Sequence, residues 1–423
     1  MKNKLIAALI VSILCSLLAN GCAETSTAEE NAIDYLPYLV AAPSGWEEVI
    51  QEDAINVKEY AEFAYSLTME LLESEKNLVW SPLSAYAAVA IMAELTETET
   101  REQLLRAVQY EEMPALRNQV VSMLRANTVD DGRMVSRPMF SLWINNIWDI
   151  HYDIINEIAK AYNINVFAGT AGDGAYSNAL RNWINEQTND FLKSSVEEVS
   201  IDTKAALMVA LTFSFQEFFA AAFPTSATSE GIFHSPSEDV TVSYMHRESN
   251  LNYYWGDGFG AVQVPLKEGG AMWLILPDEN RTPAELLEDE SFHLFSINPY
   301  EWENQKAAKV KLTLPKFKIT YQTDLAEGLK KLGITYLFDE EKSDFSPLLS
   351  EEGAKVNQLM QSISMAVDED GISAESLTMV EVYGASAPPQ NGVVFTCDHP
   401  FLFGIEGQDG AWLYAGVIQN PAE

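Results

Sequence analysis

Cysteine is the first residue type that this sequence has little of. The 423 residues include only Cys15, Cys22 and Cys397. Cys15 lies in an apolar N-terminal segment and Cys397 in a predicted core strand, so no disulfide framework exists. Stability must therefore come from packing, and 47% hydrophobic residues are enough for a substantial core. One large domain with a short appendage is the simplest organisation.

Basic residues are also scarce. The chain has 26 Lys and Arg against 62 Asp and Glu, which gives a formal net charge of −36. This charge excludes binding to a nucleic acid backbone or to an anionic membrane surface by electrostatic attraction. Basic partners remain open, and the acidity also serves to keep a surface protein soluble.

The sequence lacks the usual motifs of catalysis and metal binding. It contains no Gly-x-Ser-x-Gly, no His-Glu-x-x-His and no glycine-rich phosphate loop. Asp368–Gly371 faintly resembles a calcium loop, but the other ligand positions do not fit. Five histidines occur without ligand-like spacing: His151, His234, His246, His293 and His399. We therefore expect no enzyme, no metal and no cofactor.

Proline is absent from residues 367–387, and this run stops at Pro388-Pro389. Every residue in the run keeps the N–H that a central strand requires. From Gly371, alternation places small or β-branched residues on one face: Ile372, Ala374, Ser376, Thr378, Val380 and Val382. Both acids, Glu375 and Glu381, fall on the other face. The segment suits an edge strand followed by a turn, or a loop that can become an inserted strand.

The same segment carries a family resemblance. Val367-Asp-Glu-Asp-Gly371, Ala385-Ser386-Ala-Pro-Pro389 and Asp398-His-Pro-Phe-Leu-Phe403 resemble the hinge, reactive loop and C-terminal signature of the serpins. The resemblance extends over nearly all of the chain after about residue 46. It implies an α+β serpin fold with mixed β-sheets, eight or nine helices and an exposed reactive loop. It also implies a monomeric serine protease inhibitor.

Apolar patterns predict several elements along the chain. The predicted helices span residues 49–73, 85–95 and 152–166. Residues 180–192 resemble the serpin helix that lies across the main sheet, which implies a further helix there. The predicted strands span residues 140–147, 206–213, 262–265, 271–277 and 310–315, and the second should be buried on both faces. Further segments resemble serpin sequence closely: Leu314–Lys318, Leu329–Gly333 and Asp344–Ser346.

Ser81-Pro82 is a good helix start, with a capping side chain followed by a proline. The resemblance also assigns Ser81 and Ser84 to the region where the main sheet opens. In that region Leu211, Glu217 and Phe219 replace the family's asparagine, glycine and tryptophan. Gln361 stands at the usual histidine position, where its amide can both donate and accept hydrogen bonds.

The N-terminus reads as an export signal. Lys2 and Lys4 precede an apolar run at residues 5–18, which is too short to span a bilayer. Residues 1–21 are the predicted signal peptide. Because the segment ends at Cys22, it resembles a bacterial lipoprotein signal with Cys22 as the acylated residue; plain secretion is the alternative. Residues 22–45 would form an acidic tether, and residues 46–423 would form the domain. The mature protein would be anchored by its lipid in the cell envelope, at the cell surface, or it would be secreted.

The resemblance implies a mechanism for the loop. A serine protease cuts it and forms a covalent acyl complex, and the cut loop inserts into the main sheet. The family's spacing from the hinge residue Glu369 places the scissile bond at Ala385-Ser386. Alanine before the cut suits elastase-like or subtilisin-like proteases. Tyr383 is the alternative, with a chymotrypsin-like target.

The hinge composition agrees only in part with that of inhibitory serpins. Gly371, Ser373, Ala374 and Ser376 are suitably small, whereas Ile372, Glu375 and Leu377 depart from the pattern. By the alternation above, Ile372 points inward, and Glu375 and Leu377 point outward. A non-inhibitory serpin that binds or supports other surface proteins is therefore the first alternative. A surface hydrolase is the second, although no catalytic motif supports it.

Overall fold

A computed structural model describes residues 35–42, 57–73, 75–188, 192–193, 196–197, 199–356, 359–373 and 392–422. Nine α-helices lie within these residues, and none of them is long and apolar enough to span a membrane. In chain order they are α1 (Val57–Leu71), α2 (Pro82–Glu94), α3 (Thr98–Ala107), α4 (Met113–Ala126), α5 (Tyr152–Ala161), α6 (Gly174–Gln187), α7 (Pro283–Leu287), α8 (Glu290–Ile297) and α9 (Leu325–Lys331).

Two sheets contain the described strands. The strands are β1 (Leu39–Ala41), β2 (Leu78–Trp80), β3 (Val129–Asp130), β4 (Val135–Asn145), β5 (Asn165–Gly169), β6 (Leu207–Phe218), β7 (Ser229–His234), β8 (Asp239–Gly256), β9 (Phe259–Pro265), β10 (Ala271–Pro277), β11 (Gln305–Pro315), β12 (Phe317–Asp324), β13 (Met360–Val367), β14 (Gly371–Ser373), β15 (Gly392–Thr396), β16 (Phe401–Glu406) and β17 (Trp412–Ile418). The eight-stranded sheet has the order β1-β5-β4-β6-β14-β13-β12, with β3 beside β4. The nine-stranded sheet has the order β15-β11-β8-β9-β10-β16-β17-β2, with β7 beside β8.

Helix α2 lies in the core between the two sheets. All thirteen of its residues are buried, as expected for a helix that is apolar on every side. It approaches β6 of the eight-stranded sheet and β17 of the nine-stranded sheet. Mixed sheets and helices make an α+β fold, as the sequence predicts.

Several predicted elements have other bounds in the structure: the helix predicted at 180–192 spans Gly174–Gln187, and the strand predicted at 140–147 spans Val135–Asn145. The helix predicted over residues 152–166 stops at Ala161, and Asn165–Gly169 forms β5 instead. Between them Asn163 adopts φ 55°, a left-handed conformation that asparagine tolerates and that ends a helix. The strand predicted at residues 206–213 extends to Phe218. Its first residues, Leu207, Met208 and Val209, are half-buried, so the prediction of burial on both faces was wrong at the start of the strand.

The packed part of the chain begins before the predicted boundary at residue 46. Leu39–Ala41 pairs with β5, and the rings of Tyr35 and Tyr38 pack on Phe167 and Tyr176. The boundary itself, residues 1–34 and the predicted lipidation site Cys22 lie outside the described residues.

Candidate functional site

Among the described residues, a three-residue strand closes the centre of the eight-stranded sheet. β14 pairs antiparallel with β6 on one side and with β13 on the other. Gly371 lies opposite Phe218, and Ser373 lies opposite Gln216 and Ala366. In the described part of the chain β6 and β13 share no ladder of their own. The predicted hinge therefore stands as a short central strand between two parallel strands.

A cavity of about 640 Å³ lies next to the first residues of β6 and β13. The last residues of β6 and β13 pair with β14, so the cavity lies at the opposite end of these two strands. Its walls are mixed: Leu207, Val209 and Met360 are among the apolar lining residues, and Glu197, Asp202 and Lys355 are among the charged ones. The facing edges of β6 and β13 thus border open space over part of their length.

A tight turn leads into β14. The Asp368 Oδ1 atom accepts hydrogen bonds from the N–H groups of Asp370, at 3.0 Å, and Gly371, at 3.3 Å. The N–H of Asp368 donates to the Gly371 carbonyl at 3.1 Å. This carboxylate therefore shapes the turn, as aspartate commonly does. Within the described residues, no three His, Cys, Asp or Glu side chains are arranged to hold a metal ion.

Glu369 anchors the turn to its surroundings. Its carboxylate accepts hydrogen bonds from Lys316 Nζ at 2.6 Å and from Thr228 Oγ1 at 2.7 Å, and its carbonyl accepts one from the Phe223 N–H at 2.8 Å. Burial acts to raise the pKa of Glu369, but the bonds from Lys316 and Thr228 outweigh it and hold the pKa below its usual value. The hinge glutamate is therefore ionised and fixed at neutral pH.

Gly371 and Ile372 fit the sheet for different reasons. A Cβ atom at Gly371 would lie 2.2 Å from the Glu217 carbonyl oxygen, so only glycine allows this close approach of the two strands. Ile372 is 2% exposed and packs in the main hydrophobic core. Its side chain lies on the core face of the sheet. Ala374, Glu375, Ser376 and the pair Ala385-Ser386 lie outside the described residues.

The predicted sheet-opening residues meet at the start of α2. Gln361, on β13, accepts a hydrogen bond from the Ser81 N–H through Oε1 at 2.7 Å and donates from Nε2 to the Ser81 carbonyl at 3.1 Å. Ser81 Oγ accepts from the Ser84 N–H at 3.2 Å, which caps the helix. The hydroxyls of Ser81 and Ser84 are also hydrogen-bonded, at 3.1 Å. All three residues are buried, so Gln361 joins β13 to the N-terminus of α2.

Glu217 is a site residue whose burial the sequence did not predict. It lies on β6 opposite Ile372 and is 1% exposed. Oε1 accepts from the N–H groups of Phe218 and Glu268, whereas Oε2 has no hydrogen-bond partner among the described residues. Burial raises the pKa of Glu217 to about 7. The available signal was the replacement of a family glycine by an acid at this position.

Arg247 is a second buried charge near the hinge. Its guanidinium carbon lies 4.8 Å from the ring centre of Phe223 and 5.9 Å from that of Phe219. Nε and Nη1 have no hydrogen-bond partner in the described part of the chain. Burial lowers the pKa of Arg247 to about 10. The faces of the two aromatic rings stabilise the guanidinium cation.

Comparison with known proteins identifies the fold and the family. A family profile described as Serpin (serine protease inhibitor) matches residues 58–421. An uncharacterized serpin-like protein of Methanosarcina acetivorans is 27% identical, with 99% of each chain covered. Serpin-Z1C of Triticum aestivum is 24% identical, with 87% of this chain and 96% of the relative covered.

Solved structures agree with the observed architecture. The native state of the thermophilic serpin tengpin superposes with a TM-score of 0.77 at 23% identity, over 90% of this chain and 97% of that one. The native stressed form of Arabidopsis AtSerpin1 superposes with a TM-score of 0.76 at 20% identity, over 88% and 100%. The predicted serpin fold is confirmed, and the chain belongs to the serpin family.

Proposed function

We propose that this serpin inhibits an elastase-like or subtilisin-like serine protease by inserting its cleaved loop between β6 and β13. The observation that carries the proposal is the centre of this sheet, where β6 and β13 are joined, among the described residues, through the three-residue strand Gly371–Ser373. Sheet edges present unpaired N–H and C=O groups, so a longer strand in the gap gains hydrogen bonds on both sides. The cavity beside both strands leaves room for such a strand to advance.

The covalent chemistry belongs to the protease. Its serine oxygen attacks the carbonyl carbon of Ala385, and the bond between Ala385 and Ser386 breaks. The nitrogen of Ser386 leaves as an amine after taking a proton from the protease, and Ala385 remains as an ester on the serine. If residues 374–385 insert before water hydrolyses this ester, the protease stays attached. The energy comes from pairing the inserted strand.

The register of β14 defines where the next residues would lie. Continuing the ladder places Ala374 opposite Phe215 on the core face, and Glu375 opposite Ser214 on the other face. Ser214 and Thr212 are buried, and Ser214 Oγ donates to the carbonyl of Gln187 at the end of α6. The alternation points Glu375 outward, but α6 covers this face at Ser214, so inserting Glu375 would bury a carboxylate.

This burial favours a second candidate function. A carboxylate that must lose its water slows insertion unless it finds hydrogen-bond partners. If hydrolysis of the ester is faster, the protein is a substrate of the protease rather than its inhibitor. A non-inhibitory serpin that binds or supports other surface proteins is therefore the alternative.

One gel separates the candidates. The chain without residues 1–22 is mixed with pancreatic elastase, with subtilisin and with chymotrypsin, then denatured and run by electrophoresis. A stable adduct of higher mass than either protein supports inhibition, and the protease that forms it identifies the class. Cleavage near Ala385 without an adduct supports the non-inhibitory candidate. Ala385→Arg is the matched specificity variant, and we expect its adduct to form with trypsin instead of elastase.

We also propose that the protein is attached to the cell envelope by a lipid on Cys22. The apolar run followed by Ala19-Asn20-Gly21-Cys22 supports this proposal. Radiolabelled palmitate should be incorporated by the full-length chain and not by Cys22→Ser. Equal labelling of both would contradict the anchor, and an unlabelled secreted chain would support plain secretion.

A further inference from the structure

Glu217 occupies one position in a row of side chains that is otherwise apolar. The ladders place Phe317 beside Val367, Val367 beside Ile372, and Ile372 beside Glu217. Residues directly opposite in antiparallel strands share a face and have Cβ atoms only about 5 Å apart. Because Ile372 lies on the core face, the Glu217 side chain also points to the core. The hinge residue Ile372 is therefore one wall of the carboxyl group's environment.

The hydrogen bonds of Glu217 do not fully support an ionised carboxylate. Oε1 accepts from the Phe218 N–H at 3.0 Å and from the Glu268 N–H at 3.3 Å. Oε2 is buried and has no partner in the described residues. A buried charged oxygen without a partner is costly, whereas a protonated carboxyl group carries no charge. Burial accordingly raises the pKa of Glu217 from 4.5 to about 7.

Nearby charged groups either raise the pKa of Glu217 as burial does or are paired with another charge. The Glu268 carboxylate, which raises the pKa of Glu217 further, is itself paired with Arg133 at 3.3 Å. The backbone N–H of Lys267 acts in the opposite direction. The hinge turn contains three acids, Asp368, Glu369 and Asp370. Lys316 is the cation beside them, and it pairs with Glu369.

We propose that protonation of Glu217 keeps Gly371–Ser373 in the sheet and that ionisation of Glu217 favours their release. This inference deepens the proposed function, on which it rests, by naming a pH control at the same gap. When Ile372 leaves, water reaches the carboxyl group and its pKa falls toward the ordinary value. Insertion of the hinge then takes up a proton.

The direction of the pH effect on hinge release follows from this proton uptake. Below about pH 4.5 the carboxyl group is neutral with the hinge in or out, so pH has no effect through this group. Between about pH 4.5 and 7, each unit of rising pH shifts the equilibrium toward release by up to about tenfold. Above about pH 7 the shift is complete.

Hydrogen–deuterium exchange of the peptide that contains residues 371–373 tests the proposal. Wild type, Glu217→Gln and Glu268→Gln are compared at about pH 5 and about pH 8, always at equal pH so that the intrinsic exchange rate cancels. We expect wild type to exchange at least about tenfold faster than Glu217→Gln at pH 8, and within about threefold at pH 5. Glu268→Gln should retain most of the wild-type pH dependence.

Equal ratios of wild type to Glu217→Gln at both pH values would overturn the proposal. Glu217→Met, which is apolar and similar in size, is the second variant, and it should match Glu217→Gln. The measurement needs no protease. A pH-dependent hinge without any adduct would therefore refute the inhibitor function alone, whereas an adduct-forming protein with a pH-independent hinge would refute this inference alone.

Discussion

The two sheets of this serpin differ at their centres. In the nine-stranded sheet the central strands β9 and β10 are paired without interruption from Phe259 and Pro277 to Pro265 and Ala271. In the eight-stranded sheet the described residues join the two halves through Gly371–Ser373 alone. Within the described part of the chain, the first sheet has a full central ladder and the second has three paired residues at its centre. The difference places the capacity for change in the second sheet.

The same difference appears in the packing. β10, in the middle of the nine-stranded sheet, is buried along nearly its whole length between β9 and β16. Leu207, Met208 and Val209 of β6 are only half-buried, next to the 640 Å³ cavity. Apolar side chains beside open space have contacts still to gain. A strand that filled the gap would therefore add both hydrogen bonds and apolar contacts.

Completing the eight-stranded sheet should give the largest effect. Cleavage after Ala385 frees residues 374–385 to insert, and we expect the melting temperature to rise by about 10 °C or more, since each kcal/mol is worth roughly 2 °C in a chain of this size. Scanning calorimetry of intact and nicked protein measures the rise. An unchanged melting temperature would mean that the gap does not accept the loop and would contradict the proposed mechanism.

Blocking the gap at its first core position should give the next largest effect. Ile372→Arg would bury an unpaired guanidinium, and we expect the yield of protease adduct to fall at least about tenfold, since 1.4 kcal/mol already corresponds to tenfold. Ser373→Arg is the matched control, because Ser373 is the adjacent residue and lies on the opposite face, where it is half-buried. Adduct yields are compared by gel densitometry. Equal losses in the two variants would show that the face of insertion is not the one derived from Ile372.

Removing the polar link between β13 and α2 should give a smaller effect. Gln361→Ala leaves the Ser81 N–H and carbonyl without their side-chain partner, and we expect it to lower the free energy of unfolding by about 2 kcal/mol. Ser84→Ala keeps both of these bonds and should cost less, about 0.5 kcal/mol. Urea unfolding measures both changes. A cost for Gln361→Ala no greater than that for Ser84→Ala would exclude a structural role for the link.

Local rules predicted part of this site. The cap at Ser81 depends on a few adjacent residues, and the predicted helix start is confirmed by the bond from the Ser84 N–H to Ser81 Oγ. The family resemblance, together with the chemistry of an amide, predicted that Gln361 can donate and accept, and its two bonds to Ser81 agree with this. The need for glycine at position 371, by contrast, depends on the distant Glu217 carbonyl.

The features that sequence reasoning missed all depend on distant residues. Glu217 is buried in a sheet in which Ile372, far along the chain, lies directly opposite it. Leu39–Ala41 forms a strand because β5 offers it an edge. The face of β6 opposite the core is covered at Ser214, and this depends on the position of α6. Periodicity identifies the two faces of a strand, but it does not tell what lies against each face.

Removing the Glu369 anchor of the hinge turn should have the smallest effect on stability. Its pH dependence should be opposite to that of Glu217. The pKa of Glu369 is lowered by Lys316 and Thr228 against the effect of burial, so its stabilisation is present above about pH 4.5 and is lost as the pH falls through the lowered pKa. We expect Glu369→Gln to be about 1 kcal/mol less stable than wild type at pH 7, and we expect this difference to shrink as the pH falls below about 4.5, as measured by urea unfolding. Lys316→Met should show the same trend because it removes the other half of the pair. A stability difference that persists unchanged at pH 3 would mean that Glu369 holds the turn through its shape and not through its charge.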